Sequence, residues 1–111
     1  MGTDAYRIST EPDRFAAVHI SQGFRVGDFV FVSGQAAVNE HGEVVGIGDF
    51  AAQARQAVRN LESVLNAAGS SLNQVIKVTI FVTDMSHFPK VVELRREVFS
   101  EPYPADTICE V

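Results

Sequence analysis

The run Ile76 to Asp84, IKVTIFVTD, constrains what this chain can fold into more than any other. Val, Ile, Thr and Phe dominate it and neither Gly nor Pro interrupts it, which is strand composition. Ile76, Val78, Ile80 and Val82 alternate onto one face, and Lys77, Thr79, Phe81 and Thr83 onto the other. The first face is wholly apolar and requires a layer above it, which the helical patterns before and after the run can supply. The second mixes a Phe with Thr and Lys, so it is expected to meet a subunit or a ligand rather than bulk water.

From the start, Ala5 to Ser9 reads as a short edge strand that Thr10-Glu11-Pro12-Asp13 breaks. Gly23-Phe24-Arg25, the turn Val26-Gly27-Asp28 and the run Phe29 to Ser33 form a hairpin pattern. In the returning strand both alternating sets, Phe29/Phe31 and Val30/Val32, are apolar, so both faces are expected to be covered. Helices cover one face of so small a domain, and the other predicts further copies of the chain. Gly34 permits a bulge or a close backbone approach after the strand. Asn39 to Glu43 is a turn between two short apolar runs.

Asp49 is placed to cap a helix in which Phe50, Ala54, Ala57, Val58, Leu61, Val64, Leu65 and Ala68 form one face, with Gly69 as its stop. After the Ile76 strand, Asp84 and Ser86 compete as the cap of a second helix traced by Phe88, Val91, Val92, Arg95, Val98 and Phe99. Pro89 suits its first turn and Pro102 stops it. Ala105 to Val111 is a final extended run. The order implies an α+β layer arrangement, one domain over residues 1–111.

Composition narrows the function. A net charge of −5 with no basic patch argues against nucleic-acid partners. No apolar run approaches the roughly 18 residues of a membrane span, and the first residues lack the apolar core of a signal peptide. A lone Cys109 fits a reducing, cytoplasmic setting. His19, His41 and His87 show no metal-ligand spacing, so neither a metal nor another cofactor is expected.

Four stretches taken together resemble the RidA/YjgF family, also called the endoribonuclease L-PSP family: FVFVSGQ (Phe29 to Gln35), QARQAVRNLESVLNAAG (Gln53 to Gly69), VIKVTIFVTD (Val75 to Asp84) and PADTICEV (Pro104 to Val111). The resemblance implies a chorismate-mutase-like fold, a mixed sheet with two helices on one face. It also implies a homotrimer whose sheets face inward as a barrel, with small-molecule clefts between subunits. It further implies hydrolysis of enamines and imines such as 2-aminoacrylate to a keto acid and ammonia. In the family's terminal pattern P-A-R-S-C-V-E-V the Arg holds the substrate carboxylate. Here Asp106 stands in its place, and Ile108 takes the place of the Cys, with Cys109 one residue further on the opposite face. Ile20 and Val92 replace a Tyr and an Asn of the family, and its last strand, with a water-positioning Glu, finds no counterpart before Val111.

The expected site therefore comprises Ser33 and Gly34 at the cleft, the strand residues Asp106, Thr107, Ile108 and Cys109, and His19 as a proton carrier. Asp106 is the candidate acid, base or holder of a cationic group, or else a solvated strand-end carboxylate or the partner of a neighbouring subunit's Arg. Cys109 reads as a small buried hydrophobe, since no base is fixed near it. Asp106 and Glu110 share a strand face but lie roughly 13 Å apart, too far for joint work on one bond. The readings left open are a hydrolase with altered substrate choice, a non-catalytic ligand-binding or protein-stabilising trimer, and an endoribonuclease.

Overall fold

The computed structural model describes residues 4–111, which fall into two compact units, Met1–Ser71 and Leu72–Val111. In the first, β1 (Ala5–Ile8), β2 (Gly23–Val26) and β3 (Phe29–Val32) form an antiparallel sheet in that order. Gly27, with φ of 58°, opens the two-residue turn that brings Val26 opposite Phe29, a geometry in which the turn's twist matches that of the strands. The register puts Val30 and Val32 on one face, half-buried, and Phe24, Phe29 and Phe31 on the other. Phe29 and Phe31 are 60% and 63% exposed, so the second apolar face of β3 lies open in the single chain.

The helix α1 (Phe50–Ala67) completes this unit. The Asp49 side chain accepts from the Ala52 N–H, supplying the N-cap that a helix start otherwise lacks. At the other end Gly69, with φ of 76°, donates to the Asn66 carbonyl while Ser70 donates to that of Leu65, the paired bonds of a Schellman stop. Every residue of the expected apolar face is sheltered, Val64 and Leu65 most of all. Arg25 reaches from β2 to place Nε and Nη2 on the Ala68 carbonyl at 3.2 and 2.9 Å, a cation where the helix dipole is negative.

The second unit is a βαβ crossover. β4 (Lys77–Val82) and β5 (Ala105–Glu110) run parallel, with Val78 opposite Asp106, Ile80 opposite Ile108 and Phe81 opposite Cys109. A parallel pair needs a long connection, and α2 (Phe88–Val98) provides it. The alternation of β4 is as its sequence implies, with Val82 buried and Phe81 67% exposed. The helix start differs from expectation. Asp84 caps a separate 3-10 turn, Met85–His87, accepting from Ser86 N–H at 2.9 Å, and α2 begins after it with Pro89 in its first turn. Those contacts with Ser86 hold the Asp84 carboxyl below its usual pKa. On α2, Val91 is buried whereas Phe88 and Val92 are exposed.

Replacing Gly69 by Ala forces a Cβ into left-handed backbone and should cost about 1 kcal/mol in a urea titration. Gly34→Ala should be neutral within about 0.5 kcal/mol, since a Cβ there meets nothing within 4 Å of this chain and φ is ordinary. Equal effects would contradict the difference between the two sites.

Candidate active site

The expected site residues divide between the two units. In the first, Ser33 is half-buried and its hydroxyl donates to the Ser21 carbonyl at 2.6 Å, while its N–H donates to that of Gln22. The hydroxyl proton is thus engaged and its oxygen remains an acceptor. Gly34 is exposed and makes no close approach within this chain, so neither of the backbone roles expected for it is seen. His19 is exposed and sits in the left-handed region (φ 61°, ψ 41°), ending the 3-10 turn Arg14–Val18 through its backbone N–H. Its imidazole is left to solvent.

In the second unit, alternation along β5 separates the four terminal candidates. Asp106 and Ile108 share a face with Val78 and Ile80, whereas Thr107 and Cys109 share the opposite face with Thr79 and Phe81. One ligand therefore cannot meet all four from one side of this strand pair. Asp106 is not a free carboxylate. It accepts from Arg95 Nε at 2.9 Å and Nη2 at 2.7 Å, a bidentate ion pair with both side chains mostly covered (24% and 17% exposed). The Arg95 guanidinium also lies 5.6 Å from the centroid of the Phe88 ring. A carboxylate standing alone here would repel an anion; one matched to Arg95 presents a nearly neutral pair whose outer N–H groups remain available.

Arg95 is the residue that sequence reasoning passed over. Its signal was an Arg inside the apolar trace of α2, together with an Asp alternating with Ile108 on the covered face of β5. On the outer face Lys77 is a second such residue, its Nζ donating to the Thr107 hydroxyl at 3.1 Å and the Val78 carbonyl at 2.9 Å. Glu110 is used structurally, accepting from the Met85 N–H at 2.8 Å. Cys109 is a half-buried free thiol. The first unit also contains a cavity of about 410 Å³ between α1, the segment near Arg14 and the turn at His41.

A three-stranded hairpin sheet with a capped helix, followed by a parallel βαβ unit ending in the ADTICE strand, defines a small α+β protein of one particular class. The family model described as Endoribonuclease L-PSP matches residues 11–111, and the chain belongs to that family, the RidA/YjgF proteins, with their chorismate-mutase-like fold. It is 41% identical over 92 residues to a RutC family protein of Pyrococcus abyssi, covering 82% of this chain and 72% of that one. It is 36% identical over 108 residues to the 2-iminobutanoate/2-iminopropanoate deaminase of Escherichia coli, covering 94% and 83%. The crystal structure of RidA from Psychrobacter sp. PAMC 21119 superposes with a TM-score of 0.85 at 37% identity, covering 96% of this chain and 85% of that one.

Removing one member of the Arg95–Asp106 pair leaves a covered, uncompensated charge. Arg95→Met or Asp106→Leu alone should therefore destabilise the chain by about 2–3 kcal/mol, and the double variant by less than either. Additive losses in a double-mutant cycle would show that the pair is not coupled.

Proposed function

We propose that the chain, as one RidA/YjgF-like domain, is a trimeric hydrolase of a small enamine or imine, with a substrate choice altered at the β5 position. Membership of a family that includes a 2-iminobutanoate/2-iminopropanoate deaminase supports the reaction class. The observation that carries the altered choice is the Arg95–Asp106 pair, at a position for which the family pattern implies an Arg.

The chemistry asks little of the protein, because an imine carbon is already electrophilic. Water adds to that carbon, the resulting carbinolamine takes a proton on nitrogen, the C–N bond breaks, and ammonia and a carbonyl compound leave. In the first unit, the Ser33 oxygen and the open surface at Gly34 would hold a substrate, with His19 carrying the proton; in the second, the outer N–H groups of Arg95 would offer donors of their own. Asp106 then acts through Arg95, as its orienting partner. The substrate lacks the family's carboxylate or presents it to another group.

The open, apolar face bearing Phe29 and Phe31 supports the trimer, since leaving two such rings in water forgoes about 1.5–3 kcal/mol for each that association would bury. Phe31→Glu should lower the mass found by light scattering to that of one chain while far-UV circular dichroism is retained. An unchanged trimer would remove this face from the interface, and a single folded subunit in the unaltered protein would sink the assembly.

In an assay coupled to a dehydratase that releases 2-aminoacrylate, ammonia and pyruvate should appear more slowly than with a member carrying the family Arg. Asp106→Arg alone sets two guanidinium groups together. The informative variant is therefore the exchange Arg95→Asp with Asp106→Arg, which keeps the pair and moves the cation to β5. Rapid turnover by the unaltered chain, or none regained by the exchange, would refute the reading of this position. A ligand-binding module is the second reading, favoured by the committed state of Ser33 and Asp106. It predicts ligand stabilisation with no imine hydrolysed.

A further inference from the structure

The cavity in the first unit is lined by a set of donors that the proposed hydrolase chemistry does not use. Arg14 lines it, half-buried, and its guanidinium makes no hydrogen bond or ion pair among the described residues. Arg59 lines it from α1 and is oriented by a relay of amides. Asn60 gives both Nδ2 protons to the carbonyls of Ala36 and Val38, at 2.9 and 2.8 Å, which anchors it to the loop. Its Oδ1 accepts from Gln56 Nε2 at 2.9 Å, and Gln56 Oε1 in turn accepts from Arg59 Nη2 at 2.9 Å. That single bond leaves most of the Arg59 fork of five N–H donors unspent.

The balance of charge points the same way. The chain carries a net charge of −5, yet the cavity gathers two guanidinium groups against one carboxylate, Glu40, which stands 3.5 Å from His41 Nε2. A concave wall in which one sign of charge predominates concentrates the opposite one. A volume of about 410 Å³ suits a small metabolite.

We propose that this cavity binds a small oxyanion, the phosphate or carboxylate group of a metabolite, between Arg14 and Arg59. The amide relay holds Arg59 ready, so less side-chain freedom is lost on binding than at a free surface arginine. The site belongs wholly to the Met1–Ser71 unit and is independent of Arg95 and Asp106.

Titration of the full ¹⁵N-labelled chain with inorganic phosphate, and separately with sodium acetate, both against sodium chloride at matched ionic strength, tests it. Saturable shifts of the amides at 39–41 and 56–60 are expected with one or both anions and not with chloride. The anion that saturates at the lower concentration identifies the group. Arg14→Ala and Arg59→Ala should each weaken binding about tenfold or more, with the remaining amide spectrum unchanged. Asn60→Asp, which loses the donors that anchor the relay, should weaken it too. Shifts that rise linearly with salt, or saturable shifts that survive both arginine changes, would overturn the proposal.

Discussion

A β-strand has two faces, and within each unit of this chain one face of the sheet is sheltered while the other is open. Val30 and Val32 on β3 and Val82 on β4 lie on the sheltered side, whereas Phe29, Phe31 and Phe81 lie on the open one. Because alternation is fixed by the pleat, no local rearrangement can hide both sets at once. The pleat therefore leaves the rings of Phe29, Phe31 and Phe81 exposed in the single chain.

The same alternation governs the terminal strand. On β5 it directs Asp106 toward α2 and Thr107 and Cys109 away from the covered face, which decides what each can do before any chemistry is considered. The Asp106 carboxylate is answered within the chain by Arg95, so this position does not carry a bare negative charge. This end of β5 thus presents a matched ion pair beside an aromatic ring, a surface that favours hydrogen-bonding shape over gross charge.

Much of the fold could be read directly from residues, and the part that could not has a physical reason. The cap at Asp49, the stop at Gly69 and the face of α1 follow from local rules, because a helix is decided by its nearest neighbours in sequence. The hairpin at Gly27 was legible for the same reason. Strand partnership was not: nothing within IKVTIFVTD or ADTICE states that the two run parallel, since pairing is a non-local choice. The start of α2 was misplaced because Asp84 offers the same capping chemistry to a 3-10 turn as to a longer helix. Asp106 was recognised as unusual, but its partner was hidden among the apolar residues of α2. The relay from Asn60 through Gln56 to Arg59 was equally invisible, because its anchor lies over twenty positions away at Ala36 and Val38.

Ser33 carries a consequence of its own. Its hydroxyl and its amide grip the carbonyls of Ser21 and Gln22, and Gln22 in turn is locked to Thr10 through both ends of its side chain. The strand end that opens at Gly34 is therefore spliced to the stretch running back through Ile20 to His19. A molecule that settled against Gly34 would thus meet a backbone that the carbonyls of Ser21 and Gln22 already hold in place.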